Sequence, residues 1–237
     1  MPPMHALILA AGRGERLRPL TDDLPKPLLP VGGRPLIDYH IDALAAAGIR
    51  QLVVNLSWHG DKLRRYLQGA RRDVSIAFSD EGPVALETGG GIFHALPLLG
   101  DGPFRVVNGD IACDYRYPRS TLAPNVLAHL VLVANPPHNP AGDFCLDGDF
   151  VGVPPVSGEP SRRTFTFAGI SILSPELFAG CQPGRFPLAP LLREAAQRGQ
   201  VTGELHAGRC GPVSDEARPP RARGSRAGSP PVHRLPR

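Results

Sequence analysis

"LAAGRGERLRPLTDDLPKPLLPVGGRPLI", from Leu9 to Ile37, crowds Gly12, Gly14, four arginines and Lys26 between a short apolar run and a helix-like segment. The apolar run, "HALILAA" (His5–Ala11), has the length of a buried strand. After the cationic stretch, "LIDYHIDALAAAG" has apolar residues at helical spacing and stops at Gly48. Two glycines at a strand end let backbone N–H groups wrap close to an anion, because glycine tolerates backbone angles and approaches that other residues resist. Arg16 can fork onto a phosphate, and Lys26, set between Pro25 and Pro27, is a charge on a stiffened segment. Stiffness lowers the ordering cost of gripping a highly charged ligand.

The alternation continues outward. "QLVVNL" (Gln51–Leu56), "VSIAFS" (Val74–Ser79) and "FRVVNGD" (Phe104–Asp110) read as buried strands, with "GDKLRRYLQG" and "GGIFHALPLLG" as helical segments between them. Strand and helix in this order predict an α/β fold: a Rossmann-like, mostly parallel mixed sheet flanked by helices. Ligands in such sheets bind beyond the carboxyl ends of the strands, where the glycine loop and "NGD" both fall. Further on come a strand "AHLVLVA" (Ala128–Ala134) and a hairpin in "DFCLDGDFVGV". A long strand at Thr164–Leu173, a helix in "LAPLLREAAQRG" and a strand in "VTGELHAG" follow. No internal repeat is present. One domain is expected over 1–208, followed by an Arg/Pro-rich tail over 209–237 with a disorder signature.

Composition narrows the function classes. The chain has 237 residues, 42% hydrophobic and 20% charged, ordinary values for a globular protein. No apolar run approaches the ~20 residues that span a bilayer, and no basic segment precedes "HALILAA" as in a signal peptide. The cytoplasm is the expected compartment, with no membrane partner. Cys113, Cys145, Cys181 and Cys210 are far apart with no C-x-x-C, so reduced thiols are expected and neither a disulfide framework nor a zinc site. The net charge of +4 suggests nucleic acid at first sight. Yet Arg209–Arg237 holds seven arginines against Asp215 and Glu216, a local +5, so the rest of the chain carries −1. A folded nucleic-acid face is therefore not expected.

Two familiar glycine motifs are absent. No lysine follows the glycines at P-loop distance, and the third glycine of G-x-G-x-x-G is missing. The whole run A-A-G-x-G-x-R-x-x-P-L-T followed by P-K-P-x-x-P-V instead resembles the signature of the sugar-1-phosphate nucleotidyltransferases. The likeness covers about residues 4 to 208. "LIDYHIDALAAAGI", "LETGGGIFHALPLLG", "VNGD", "AHLVLV" and "TFAGIS" are nearest the subgroup that transfers UMP from UTP to N-acetylmuramate 1-phosphate in cell-wall recycling.

That resemblance implies a GT-A-like fold and a nucleoside triphosphate and a sugar 1-phosphate as partners, on a monomer or small homo-oligomer. It sets Gly12, Gly14, Glu15 and Arg16 around the triphosphate and Lys26 at the reacting phosphates. Glu87 and Gly89 are implied against base and sugar, Asn108 beside the ribose, Asp110 as ligand of Mg²⁺, and Asp143 facing the sugar. Arg16, Lys26 and Asp110 are thus the implied catalytic residues. Read as bare residues, the glycines after Thr88 equally suit a helix start, and an aspartate before a strand such as Asp143 equally suits a cap or turn. The reaction needs no side-chain nucleophile, since the attacking sugar phosphate is already an anion; positioning and charge neutralisation carry it. Magnesium fits, because it takes few carboxylates and keeps waters and phosphate oxygens.

The likeness breaks after "GELHAG". The family's second metal-binding aspartate, in a "W-x-D-V-G-T"-like segment, has no counterpart in "RCGPVSDEARPP", and Asp215 stands in unmatched surroundings. The proline-arginine run has the look of a GC-rich gene read out of frame; a natural basic tail for nucleic acid or an acidic partner is the other reading. Three functional readings follow: the uridylyltransferase, a sibling with another base or sugar such as glucose or mannose 1-phosphate, and a nucleotide-sugar binder with impaired turnover.

Overall fold

The computed structural model of the chain describes residues 4–69, 73–154 and 163–213. β1 (His5–Leu9) leads into the cationic segment, which carries 3-10 turns at Glu15–Leu17 and Lys26–Leu28. A small hairpin of β2 (Pro30–Val31) and β3 (Arg34–Pro35) delivers it to α1 (Leu36–Ala46). β4 (Gln51–Leu56), α2 (Gly60–Gly69), β5 (Ser75–Asp80), α3 (Glu87–Ala95) and β6 (Phe104–Asn108) complete the alternating half. Next come β7 (Ile111–Cys113), β8 (Ala128–Val133), β9 (Phe144–Asp147) and β10 (Phe150–Gly152). β11 (Thr164–Leu173), α4 (Ala189–Gln197), β12 (Val201–Leu205) and β13 (Cys210–Pro212) end the described chain.

Nine strands form one sheet in the order β5-β4-β1-β6-β11-β8-β12-β10-β9. β5, β4, β1 and β6 are mutually parallel. The predicted α/β sheet is therefore present, but its parallel order is confined to that half and the β8–β12 pair. From β6 to β11 the described chain contains no helix, hence no crossover of the kind a parallel return needs. β11 runs antiparallel to both β6 and β8, and β10 to both β9 and β12.

The inner strands are apolar on both sides because both sides are covered. Leu7, Val53 and Val106 point to a core shared with Ile92 and Ala95 of α3 and Leu192 and Ala195 of α4. One residue along, Ala6, Ile8, Leu52, Val54 and Val107 meet Ile37, Ile41 and Leu44 of α1 and Leu63 and Leu67 of α2. Each such Leu, Ile or Val contributes about 1.5–3 kcal/mol by leaving water. Among the described residues, no helix is long and apolar enough to cross a membrane.

Two expectations change at the chain's end. β13 pairs antiparallel with β7, placing Cys210 directly opposite Cys113, and the two form a disulfide. Reduced thiols remain only at Cys145 and Cys181. The ribbon brings together residues 97 apart in sequence, with Cα atoms 4.1 Å apart, a juxtaposition that spacing along the chain does not reveal. The structured chain also extends past 208: Asp114 N–H donates to Arg209 O (3.0 Å) and Val213 N–H to Asp110 O (2.9 Å). The rest of the tail, Asp215 included, lies outside the described residues.

Candidate active site

A cleft of about 730 Å³ opens at the carboxyl ends of β1, β4 and β6. Its floor is the loop after β1. Gly14 adopts φ +65°, and a Cβ there would sit 2.8 Å from the Thr21 methyl. The buried Thr21 hydroxyl donates to Gly14 O (2.9 Å), so the threonine of "P-L-T" locks the glycine turn from behind. Trp58 N–H donates to Thr21 O (3.2 Å), while Arg13 leans over the indole at 5.4 Å from its centroid. The only tryptophan is thus a brace of the loop.

Lys26 crosses the cleft floor. Its 3-10 turn begins after extended Pro25 and contains Pro27, and its side chain is 9% exposed. Lys26 Nζ donates to Asp110 Oδ2 at 2.9 Å, with the Asp110 side chain 39% exposed toward the cleft. Gly109 is needed between Asn108 and Asp110: its N–H donates to Leu9 O (2.8 Å), and a Cβ would fall 2.7 Å from that same oxygen. Gly169, at φ +78° where β11 shifts register against β8, clears space for Asn108, whose Nδ2 lies 2.6 Å from the position of a Cβ. Bulges of this kind recur beside functional sites, where they re-aim a side chain. His40 of α1 is buried; that burial pushes its imidazole down to about 4, against the opposing pull of the Asp110 charge and the Ile111 backbone.

The wall opposite the floor is a relay of hydrogen bonds. Ala10 N–H donates to Asn55 Oδ1 (2.5 Å), Asn55 Nδ2 to Glu81 Oε1 (2.6 Å), and Leu86 N–H to Glu81 Oε2 (2.7 Å). The ends of β1, β4 and β5 and the start of α3 are thereby fixed to one another. The glycines of "LETGGG" serve packing: a Cβ on Gly89 would strike the Phe186 ring at 2.6 Å, on Gly90 the Gly184 carbonyl at 2.2 Å, and on Gly91 Glu81 Oε1 at 2.5 Å. Glu87, the first residue of α3, has φ +62° and pairs with Arg185 Nη2 (2.9 Å) at the cleft rim.

Gly12, Gly14, Glu15, Lys26, Glu87, Asn108 and Asp110 all line this cleft. Arg16 stands in the Glu15–Leu17 turn, and its side chain lies outside the described part. Two further residues that the resemblance sets near the substrates stand outside this lining. Gly89 stands in the first turn of α3, where it packs on Phe186. The Asp143 carboxylate accepts from Asn139 Nδ2 (3.0 Å) and Phe167 N–H (2.9 Å), clamping the loop before β9 to β11. Asn55, Glu81 and Arg185 line the cleft without having been singled out. A polar residue closing the apolar strand "QLVVNL" was a usable signal for Asn55; Arg185, near 100 residues from Glu87, offered none.

A family model described as nucleotidyl transferase matches residues 5–144. The chain is 47% identical over 212 residues to an N-acetylmuramate alpha-1-phosphate uridylyltransferase of Neisseria meningitidis serogroup B, covering 86% of this chain and 90% of that protein. This chain belongs to the nucleotidyl transferase family. A second uridylyltransferase of that name, from Caulobacter vibrioides, is 36% identical, with 85% of this chain and 88% of the relative covered. The fold matches that of HddC from Yersinia pseudotuberculosis complexed with GMP-PN, at a TM-score of 0.73 and 22% identity over 90% of this chain and 96% of that one. The chain is thus a sugar-1-phosphate nucleotidyltransferase in family and fold.

Nucleotidyltransferases usually use a divalent metal. The donor set here suits a hard cation bound with its substrate. Asp110 offers carboxylate oxygen to the cleft, and no group of three metal-ligating side chains exists among the described residues. Phosphate oxygens and waters would complete the shell, as Mg²⁺ prefers. β13, seated beside β7 and so next to Asp110, carries Cys210, Gly211 and Pro212 and adds no carboxylate.

Proposed function

We propose that this nucleotidyltransferase transfers UMP from UTP to N-acetylmuramate 1-phosphate, releasing pyrophosphate, with Mg²⁺ as cofactor. We place it in the cytoplasm as a step of peptidoglycan recycling. The observation carrying the chemistry is the buried Lys26 at 2.9 Å from Asp110, set under a glycine loop at the ends of β1 and β6. Substrate identity rests on likeness to the two uridylyltransferases.

In this reading an acceptor phosphate oxygen attacks the α-phosphorus of UTP, the α–β P–O bond breaks, and pyrophosphate leaves with the bonding electrons. Backbone N–H groups around Gly12–Gly14 cradle the triphosphate, and Lys26 neutralises charge where it grows. Both are fixed beforehand by Thr21 and by the proline-flanked turn, so little reorganisation is needed during the reaction. Asp110 would hold Mg²⁺, which supplies further charge neutralisation at the phosphates. Asn108 and Glu87 face the nucleoside and the sugar.

The deciding experiment measures pyrophosphate from UTP, TTP, GTP and CTP against N-acetylmuramate, N-acetylglucosamine, glucose and mannose 1-phosphates, with and without Mg²⁺. Turnover highest for UTP with N-acetylmuramate 1-phosphate, and lost without Mg²⁺, is expected. A clear preference for another pair overturns the assignment while leaving the family intact. One observation favours a second reading, nucleotide binding with poor turnover: no carboxylate on β13 joins Asp110. UTP binding without pyrophosphate release, relieved by grafting the last residues of the Neisseria relative, would establish it.

A further inference from the structure

We propose that Arg185 recognises the carboxylate of the acceptor sugar, exchanging its ion pair with Glu87 for one with the substrate. This rests on the proposed N-acetylmuramate 1-phosphate reading. N-acetylmuramate differs from N-acetylglucosamine by a lactyl ether that ends in a carboxylate. Discriminating the two requires a cation in addition to those that grip phosphate.

The described side chains leave Arg185 for that task. Lys26 is committed to Asp110 at the reacting end, and Arg13 leans on Trp58. Arg185 enters the same cleft from the other wall and pairs with Glu87 Oε1 at 2.9 Å. That pair is open to solvent, with side chains 64% and 39% exposed, so it contributes little stability as it stands. Exchanging one carboxylate for another preserves the guanidinium's charge-assisted bonds, and Arg presents the planar fork that suits a carboxylate.

The backbone that carries this solvent-open side chain is held in place. Gly90 N–H donates to Phe186 O (3.0 Å) and Phe186 N–H to Leu86 O (3.2 Å), stitching the Arg185 segment to the start of α3. Gly184 on one side and Phe186 on the other fill the space left open by Gly90 and Gly89. Glu87 adopts a left-handed backbone, φ +62°, that a residue with a side chain seldom takes. Such conformations persist where the surrounding structure holds them, and they cluster at ligand clamps.

The test compares Arg185→Gln and Arg185→Lys with the unmodified chain on N-acetylmuramate 1-phosphate and on N-acetylglucosamine 1-phosphate. Where turnover is too slow, the same comparison is read as Kd by calorimetry. For Arg185→Gln, kcat/KM on the muramate substrate should fall on the order of tenfold to a hundredfold, mostly through KM. The glucosamine substrate and the KM for UTP should stay within about threefold, and Arg185→Lys should recover part of the loss. Equal losses on both acceptors, a raised KM for UTP, or no change would each overturn the proposal. An unmodified chain that ignores N-acetylmuramate 1-phosphate overturns the parent reading instead, and this proposal with it.

Discussion

Lys26 and Asp110 are each other's counter-charge, one buried and the other half open to the cleft. Removing either leaves the partner with an uncompensated charge where phosphates must bind. Lys26→Ala and Asp110→Asn should each lower kcat by about 10²–10³, the usual loss when one preorganised electrostatic group is deleted. Steady-state pyrophosphate release checks this, and an effect below fivefold would mean the pair is structural only. His40 sits behind the same pair with no hydrogen-bond partner for its Nε2. Its folded value of about 4 lies below the ordinary 6.5, so the unfolded chain takes up the proton first as pH falls. Stability should therefore be lost progressively between pH 6.5 and 4, by about 3 kcal/mol in full for this group. Urea unfolding at pH 7 and pH 4.5 in chelator should show a smaller acid loss for His40→Leu than for the unmodified chain; parallel losses would contradict this account of His40.

Helix α3 shows how an element can reverse a general preference. Gly→Ala inside a helix is normally favourable by about 0.8–1 kcal/mol. At Gly90 the new methyl would meet the Gly184 carbonyl at 2.2 Å, a backbone atom with little room to yield. Gly90→Ala should cost about 1–3 kcal/mol, as overpacking does, and lower Tm by several degrees. An unchanged or raised Tm would show that the segment at 184–186 can move away. The β7–β13 ribbon makes the opposite point, since two three-residue strands are held by a covalent cross-link as well as by their pairing. Its disulfide joins residues 97 apart in sequence, so dithiothreitol should remove about 4.7 kcal/mol of stability by the chain-entropy estimate. A melt insensitive to reductant would exclude that role. The strands β1, β4 and β6 were legible because strands covered on both faces read as unbroken apolar runs. The ribbon and the disulfide were not, since two three-residue strands leave no periodicity and their pairing is tertiary. The packing of the "LETGGG" glycines was not legible either, since Phe186, Gly184 and Glu81 are not predictable neighbours.

Over the whole molecule, charge and topology divide the work. The parallel half gathers the ends of β1, β4 and β6 into one cleft, and the cationic segment at 12–26 supplies its floor. The seven arginines from 209 onward lend the chain its basic balance, leaving the remainder at −1. Anion binding in the cleft must then come from local groups, Lys26 and loop amides above all, rather than from a general positive field. Affinity for UTP should consequently fall only modestly between 50 and 200 mM salt, unlike the steep loss expected of a protein that binds a polyanion over a broad basic face. The most direct measurement is calorimetry of UTP with Mg²⁺ on the unmodified chain and on Lys26→Ala. Binding to the former, weakened at least tenfold in the latter, is the expected result. Equal affinity in both, or no binding to either, would contradict the assignment of this cleft to a nucleoside triphosphate.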